Sequence, residues 1–344
     1  MRILYIISSL QPLGPVIIVH NLVKEIMRMG HQCTVFYFDE SVSLPFPCAV
    51  RRIAFARKTN LGNYDVVHSH GIRPNLYASL HKPFHTRTKF ITTVHSYILE
   101  EFKCSYGWIL GCICSRLFFL SIWRHDQVVV LSRDAIDYYA RFVSRKKLAY
   151  CYNGVDIDNT ESLTEEERMI VERFKGQRVL IGICSSLVRI KGIDVLIRVM
   201  QYLPDRYRLL IVGDGDCRAK LEQWCMANCL ADRILFLGFK NNAYRFLPLI
   251  DIYVQTSWSE GFCLALTEAA LYGKRIVCSD IPGMREKYTE KEVVYFQMPD
   301  VQELARAILR VESDVQIGSF ARERAVQVFT AYHMAKQYME IYRQ

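Results

Sequence analysis

The sequence predicts an α/β protein of two lobes, each built around a doubly wound parallel sheet. At 344 residues and 51% hydrophobic content, the chain exceeds one ordinary domain and can fill two cores. Short apolar runs alternate with amphipathic stretches almost throughout, which is typical of βαβ units. We therefore expect lobes at 1–155 and 156–327, with a C-terminal helix at about 328–344 that packs back on the first lobe.

The strand candidates are short apolar runs that precede helical patterns. In the first lobe they are residues 2–8, 33–38, 65–68, 90–94 and 127–131. In the second lobe they are residues 179–184, 208–212, 234–237, 252–255, 275–278 and 293–296.

The segment between the lobes starts at a turn signal, Asn153-Gly154, so the linker is expected near residues 153–160. A polar, acid-rich helix follows, and its Thr164 and Glu167 have the spacing of a capping box. Two helical segments, at about 300–312 and 318–343, end the chain, and the second is expected to bend near Thr330.

Composition excludes several classes of protein. The 12 cysteines are scattered without paired C-x-x-C spacing, which favours reduced, mostly buried thiols over disulfides or a zinc site. Residues 1–7 run into Ser8-Ser9 without the pattern of a signal peptide. The most apolar stretch, 108–123, is interrupted by Arg116 and is shorter than the roughly 20 residues of a spanning helix. We therefore expect a cytoplasmic protein with no transmembrane segment.

The positive charge lies in the first half of the chain. Residues 1–150 contain 19 Lys and Arg against 9 Asp and Glu, a net charge of +10, and the remainder carries −1. This asymmetry favours an anionic membrane surface as the partner of the first lobe. No nucleic-acid partner is expected, because no aromatic-basic module is present. A basic face that only keeps the protein in solution is the alternative.

The stretch 106–124 is rich in aromatic and apolar residues and contains two arginines. Burial of most of it in a core is expected, because a Rossmann helix needs one apolar face. Partial exposure at a membrane interface is the alternative.

The strongest motif pairs Glu260 with Glu268, directly after the strand candidate 252–255. We expect a helix that begins near Gly261 and contains Glu268, with Glu260 in front of it and pointing into an interlobe cleft. Glycine lets a ligand approach the backbone, and a helix N-terminus attracts anions. An ordinary Glu-Gly turn before an amphipathic helix is the alternative. The N–H groups expected to bind a diphosphate belong to Phe262, Cys263 and Leu264.

Two further loops in the second lobe point to phosphate binding. Lys191, between a strand end and Gly192, is placed where its ammonium can reach a phosphate, although a solvated loop lysine is the alternative. Gly213 opens a G-x-G turn after a strand, a weak signal because Arg218 stands where a dinucleotide fingerprint has its third glycine.

In the first lobe, Gly14 follows the first strand and could contact a phosphate or an acceptor, or serve only as a turn. His68, His70 and His95 cluster at predicted strand ends, without a third ligand placed for a metal. We favour His95 as a hydrogen-bonding group for a sugar hydroxyl or carbonyl, with a satisfied core histidine as the alternative.

In their order and spacing, these motifs resemble the retaining glycosyltransferases of family 4, which have the GT-B fold of two Rossmann-like lobes facing across a cleft. The resemblance implies three catalytic residues, Glu260, His95 and Lys191, with His95 reaching a sugar hydroxyl from the opposite lobe. It also implies that Glu268 holds the ribose, Lys191 the diphosphate, and Glu260 with the following N–H groups the donor sugar. The nucleotide base is expected near Phe239 and Lys240. Neither a metal nor another cofactor is expected.

The chain departs from the family at the Lys191 loop. Ser185-Ser186 stands where Gly-Arg is usual, so Ser186 replaces a phosphate-binding cation that Arg189 could supply instead. Cys263 replaces a frequent glycine or proline, and Leu13 and Pro15 flank Gly14 where a second glycine is common.

The resemblance implies transfer of a hexose or N-acetylhexosamine from a nucleotide diphosphate sugar, with UDP expected from its frequency in the family. The expected acceptor is a lipid-linked saccharide of bacterial surface polysaccharide synthesis, at the inner face of the plasma membrane. One rival is a weak or inactive sugar- or membrane-binding protein on the same scaffold. Another is a sugar-nucleotide epimerase, or a Rossmann oxidoreductase, against which the missing dinucleotide fingerprint argues.

Overall fold

The structure is a computed structural model that describes residues 1–40, 44–156 and 162–344. The chain divides into two compact units: unit 1 is Met1–Asp156 with Phe329–Gln344, and unit 2 is Ile157–Val328. The predicted boundaries after residues 155 and 327 differ from these by one residue. Half of the predicted linker, residues 157–160, lies outside the described residues.

Unit 1 contains a seven-stranded parallel sheet in the order β3-β2-β1-β4-β5-β6-β7. Its strands are β1 Arg2–Ser9, β2 Gln32–Asp39, β3 Ala49–Arg52, β4 Val66–His70, β5 Lys89–Thr93, β6 Gln127–Val130 and β7 Leu148–Tyr150. Its helices are α1 Gly14–Arg28, α2 Ile72–His81, α3 Ile98–Tyr106, α4 Trp108–Ser121, α5 Arg133–Tyr139 and the C-terminal α13 Ala331–Arg343.

Unit 2 contains a six-stranded parallel sheet in the order β10-β9-β8-β11-β12-β13. Its strands are β8 Val179–Cys184, β9 Tyr207–Val212, β10 Ile234–Gly238, β11 Ile252–Gln255, β12 Arg275–Ser279 and β13 Val294–Phe296. Its helices are α6 Glu165–Lys175, α7 Ile193–Val199, α8 Arg218–Ala227, α9 Leu264–Leu271, α10 Pro282–Arg285, α11 Val301–Ser313 and α12 Ile317–Val328.

The central strands of both sheets are buried, as their continuous apolar runs predict. In unit 1, β1 is almost free of solvent contact from Ile3 to Ile7, and in unit 2 the middle of β8 and β11 is equally buried. Parallel strands covered by helices on both faces have this uninterrupted pattern. Helix α6 also begins as predicted, because Thr164 and Glu167 form the full capping box.

Three local predictions were wrong or incomplete. Strands β3 and β7 were not predicted, since the first is exposed throughout and the second has only three residues. The last helical segment is two helices, α12 and α13, instead of one bent helix. The Thr330 side chain accepts a hydrogen bond from the His333 N–H at the start of α13, which places a helix N-terminus where a bend was expected. The last helix packs against α1 in unit 1.

The favoured burial of the stretch 106–124 is also wrong in its main part. In α4 the residues turned toward the core include Gly111 and Ser115, whereas Ile109 and Leu117 are exposed by more than half. Among the described residues, none of the helices is both long and apolar enough to cross a membrane.

Candidate active site

In each unit the order of the strands reverses beside the first strand of the sheet. Strand β1 lies between β2 and β4 in unit 1, and β8 lies between β9 and β11 in unit 2. Ligands of open parallel sheets bind outside the carboxyl ends of the strands at such a reversal. The loops after β8 and β11 carry Lys191 and Glu260, so the topology brings the two strongest sequence signals to one edge of unit 2.

Lys191 and Glu260 form an ion pair, with the lysine Nζ 2.7 Å from the glutamate Oε1. Ser257 Oγ donates to the same oxygen at 2.6 Å, and the Glu260 side chain is only 7% exposed. A carboxylate withdrawn from water needs such donors, because burying an uncompensated charge is costly. The predicted diphosphate-binding cation and the predicted sugar-binding acid are therefore in direct contact.

The backbone holds the two loops together at this pair. Trp258 N–H donates to the Ile190 carbonyl at 2.9 Å, and Thr256 Oγ1 donates to the Lys191 carbonyl at 3.1 Å. Gly192 has a φ of +61°, and a Cβ there would lie 2.2 Å from the Thr256 carbonyl oxygen. Only glycine fits both the left-handed backbone and this close approach, which explains why glycine follows Lys191.

Gly213 has a structural role in the neighbouring turn after β9. Its φ is +148°, and a Cβ would lie 1.9 Å from the Ser185 carbonyl oxygen. Its N–H donates to the Gly238 carbonyl at 2.9 Å. Gly213 thus packs the β9 turn against the loops after β8 and β10, and its contact with a donor stays a prediction.

Helix α9 begins at Leu264, so its predicted start near Gly261 is wrong by three residues. The reason is the backbone of Cys263. Its φ of +62° is left-handed and therefore not helical, so the helix begins only at the next residue. N–H groups in the first helical turn, including that of Leu264, have no acceptor within the helix. Diphosphate binding by the N–H groups of Phe262, Cys263 and Leu264 stays a prediction.

Lys287 supports the same loop and was not singled out from the sequence. Its side chain is almost wholly buried, its Nζ donates to the Phe262 carbonyl, and its ammonium lies 4.3 Å from the centroid of the Phe262 ring. Burial lowers the pKa of Lys287. It follows Phe262 by 25 positions with no motif, so no sequence signal marked it as part of this site.

Glu268 lies on α9 with its side chain half-buried. Burial raises the pKa of this carboxyl group to about 7. Its charge also contributes, after burial, to a raised pKa of the Cys184 thiol at the end of β8. At neutral pH the protonated and ionised forms of Glu268 therefore coexist, and a hydroxyl group such as that of ribose can hydrogen-bond to either.

The residues predicted to lie near the base follow β10. The Phe239 ring is 61% exposed, and Lys240 is paired with Glu167 of α6 at 3.0 Å. Ser186 and Arg189 are both exposed in the Lys191 loop. Supply of the missing cation by Arg189 and base binding by Phe239 and Lys240 both stay predictions.

At the reversal in unit 1, the histidines lie together, with the His68 and His70 ring centroids 4.2 Å apart, and make two separate sets of hydrogen bonds. His70 Nδ1 lies 2.8 Å from His95 Nε2, and His68 bonds to Thr93 Oγ1 at 2.8 Å and to the Tyr342 hydroxyl at 2.7 Å. Burial lowers the pKa of His95 to about 4, so it is neutral at pH 7. His95 is half-buried, which leaves part of the ring able to meet a ligand.

The other residue predicted in unit 1, Gly14, is the first residue of α1 at the carboxyl end of β1 and is half-buried. Its contact with a phosphate or acceptor stays a prediction. Within residues 1–40, 44–156 and 162–344, no group of three His, Cys, Asp or Glu side chains is arranged to hold a metal ion.

Comparison with solved structures defines the class of the protein. The chain matches the structure of Anabaena HepE in complex with UDP and glucose with a TM-score of 0.82 and 21% identity, covering all of both chains. Two doubly wound parallel α/β units with this likeness show that the chain has the GT-B fold.

The comparisons of sequence define the family. Residues 14–159 match Glycosyltransferase Family 4, and residues 164–325 match Glycosyl transferases group 1. The Escherichia coli "O-antigen biosynthesis glycosyltransferase WclY" is 30% identical over 99% of this chain and 98% of its own length. An N-acetylgalactosaminyltransferase of Campylobacter jejuni, named for a diphospho-undecaprenol substrate, is 28% identical over 44% of this chain and 40% of its own. The chain belongs to glycosyltransferase family 4 and is a glycosyltransferase.

Proposed function

We propose that this enzyme transfers a hexose or N-acetylhexosamine from a nucleotide diphosphate sugar, with UDP as the nucleotide, to a lipid-linked saccharide in bacterial surface polysaccharide synthesis. The anomeric configuration is retained. The Lys191–Glu260 pair carries the proposal, because a cation and the acid predicted to bind the sugar are in contact at the strand reversal of unit 2.

UDP as the nucleotide is supported by the likeness to HepE, whose structure contains UDP and glucose. The lipid-linked acceptor is supported by two relatives, one named for O-antigen biosynthesis and one for a diphospho-undecaprenol substrate. The charge of +10 in residues 1–150 also suits a site at an anionic membrane surface. We therefore place the enzyme in the cytoplasm, peripheral to the inner face of the plasma membrane.

In the proposed reaction, the bond between the anomeric carbon and the diphosphate oxygen breaks through an oxocarbenium-like state. The acceptor hydroxyl attacks on the same face, and the departing phosphate oxygen takes its proton. Lys191, with the N–H groups at the start of α9, stabilises the charge that develops on the diphosphate. Glu260 orients the donor sugar, Glu268 holds the ribose and His95 bonds to a sugar hydroxyl.

Substituting Lys191 by Ala is expected to weaken binding of a UDP-sugar by about 1.5–3 kcal/mol, because a charge-assisted phosphate contact is lost. Glu268→Ala is expected to have an effect of similar size through the ribose. A thermal-shift screen first identifies the donor, since a ligand that binds only the native state raises its stability. Isothermal calorimetry then compares both variants with Lys220→Ala, an exposed lysine of α8 in the same unit. Unchanged affinity in folded Lys191→Ala and Glu268→Ala proteins would refute both assignments.

Retention is tested on the product, and independence from divalent metal is tested on the activity. NMR of the transferred sugar is expected to give the donor's anomeric configuration, and activity is expected to persist in EDTA. An inverted centre, or activity lost in EDTA and restored by manganese, would contradict this part of the proposal.

A further inference from the structure

Helix α4 presents most of its large apolar side chains to solvent, and apart from Phe118 the residues that it buries are small. The residues buried along it are Gly111, Ser115, Phe118 and Ser121, which recur at the three- and four-residue spacing of one helix face. A Cβ at Gly111 would lie 2.6 Å from the Lys103 backbone nitrogen, so α3 packs directly against this small-residue side. The amphipathic pattern of a helix in a soluble domain is thus inverted.

The opposite side of the helix forms a continuous apolar surface, which we call the α4 face. It consists of Ile109, Leu110, Ile113, Leu117 and Leu120, each 48–69% exposed. These positions share one side of the helix because they follow its 3.6-residue period. Scattered exposed leucines are ordinary, but a contiguous apolar patch marks a surface that something else covers.

Charge around the α4 face indicates what covers it. From residue 102 to 125 the chain contains Lys103, Arg116 and Arg124 and no Asp or Glu. The helix is bracketed by Trp108, 72% exposed, and Trp123, 64% exposed. Tryptophan favours the boundary between lipid and water, and basic side chains favour anionic headgroups.

A second basic element lies beside the end of α4. Phe119 of α4 stacks on Phe142 with ring centroids 4.7 Å apart, and Lys147 Nζ donates to the His125 carbonyl at 2.9 Å. The segment 141–147, which makes both contacts, also contains Arg141, Arg145 and Lys146, all exposed, and Arg145 is ion-paired with Asp137 at 2.7 Å. The apolar face and four basic side chains are therefore parts of one surface of unit 1.

We propose that the α4 face inserts into the interfacial layer of an anionic bilayer while the basic segment 141–147 contacts the headgroups. This inference rests on the membrane-linked acceptor of the proposed function and names the surface that reaches it. It differs from docking by charge alone, because burial of the α4 face adds an attraction that salt does not screen. A second copy of the chain fits less well, since symmetric pairing would bring two basic segments together.

The test is co-sedimentation with vesicles of phosphatidylcholine and phosphatidylglycerol at low and high salt. The double variant Leu117→Ser/Leu120→Ser is expected to lower the apparent affinity about tenfold for each leucine, at both salt concentrations. Arg145→Ala/Lys146→Ala is expected to weaken binding only at low salt. The matched control is Met169→Ser/Ile170→Ser, which removes two exposed apolar side chains from α6 of unit 2 and is expected to bind like the wild type.

Insertion itself is measured by quenching of tryptophan fluorescence with lipids brominated in the acyl chain. Quenching is expected in the wild-type protein and is expected to fall in Trp108→Phe. Binding that high salt abolishes, or binding unaffected by the leucine substitutions, would overturn the inference. So would a lipid-free dimer in sedimentation analysis that the leucine variant dissociates.

The proposed function is scored separately, by UDP-sugar affinity and by transfer to a detergent-solubilised acceptor. Both are expected to be unchanged in Leu117→Ser/Leu120→Ser, because the α4 face contains none of the predicted site residues. If transfer persists while vesicle binding does not depend on α4, only the inference fails. If UDP-sugar binding is absent from the wild type, the proposed function fails instead.

Discussion

Each sheet reverses its strand order beside its first strand, and we call the carboxyl ends of the strands at that point the edge of the unit. The edges of the two units have the same topology and opposite chemistry. In unit 2 the edge is built around a charge pair, Lys191 with the buried Glu260. In unit 1 the corresponding edge has neutral histidines, with His70 bonded to His95 and His68 to a tyrosine of the last helix. The fold determines where side chains emerge, and the loops determine what they can bind. A charged edge suits a diphosphate, whereas a neutral hydrogen-bonding edge suits hydroxyl groups.

The two edges are also expected to respond oppositely to pH. Burial raises the pKa of Glu268 in unit 2 to about 7 and lowers the pKa of His95 in unit 1 to about 4. Near pH 7, His95 is therefore neutral and Glu268 is about half protonated. Lowering the pH from 7 favours the protonated Glu268, which is the neutral form that burial stabilises. It also favours the protonated His95, which is the charged form that burial opposes.

The largest expected effect tests the acid of unit 2. Because the folded pKa of Glu268 lies above the unfolded value of about 4.5, the contribution of Glu268 to stability is highest at low pH and falls as pH rises from about 4.5 to 7. Glu268→Gln keeps the neutral form and is expected to raise the free energy of unfolding by about 2–4 kcal/mol at pH 8, with little change at pH 4.5.

Urea unfolding at the two pH values measures this effect, with Trp224 and Trp258 as fluorescent reporters in unit 2. The control is Glu166→Gln, an exposed glutamate on α6. Equal stabilisation by Glu268→Gln at both pH values would mean that the carboxyl group is not held protonated by burial.

Much of this comparison could be read from the sequence, because it depends on strand order and on loops next to strands. The Lys191 loop and the Glu260–Glu268 segment each follow a buried apolar run, and parallel strands bring such loops to one edge. The pairing of Lys191 with Glu260 was not predictable in the same way, since it depends on the register of β8 against β11.

No pattern in the amino-acid sequence indicates the other features. Lys287 reaches the Phe262 carbonyl from 25 positions away, a contact set by tertiary packing. The α4 stretch was interpreted as mostly core because apolar residues are usually buried, yet α3 packs against its glycine and serine side and leaves its leucines outside. The exposed strand β3 has no apolar run from which to predict it.

A smaller effect is expected from two histidines of unit 1, His95 at the strand reversal and His125 in front of β6. Burial lowers the pKa of His95 to about 4 and of His125 to about 3, both below their unfolded values, so stability is lost as pH falls below about 6.5. Between pH 7 and 5.5, each is expected to lower the stability of unit 1 by about 1 kcal/mol.

Hydrogen exchange, corrected for the intrinsic effect of pH on exchange rate, measures this loss in peptides that span β4 and β5. Peptides from β11 and α9 of unit 2 are the internal control and are expected to keep their protection over this range. Equal losses in both units would remove the contrast between the edges.

The smallest expected effect concerns helix caps, one in each unit. Thr330 accepts from the His333 N–H at the start of α13 in unit 1, and Thr164 accepts from the Glu167 N–H at the start of α6 in unit 2. Thr330→Ala is expected to lower the stability of unit 1 by about 1 kcal/mol, since the cap is lost, and Thr330→Ser is expected to restore most of it.

Thr164→Ala provides the matched comparison, because it removes the same type of cap from an exposed helix with a capping box. Its effect is expected to be confined to unit 2 and to be no larger than that of Thr330→Ala, since only one residue of α6, Val171, is buried whereas seven residues of α13 are. Hydrogen exchange under partly denaturing conditions, followed in peptides of each unit, separates the two units. If Thr330→Ala left unit 1 unaffected while Thr164→Ala destabilised unit 2, packing of α13 alone would suffice to hold the end of the chain on unit 1.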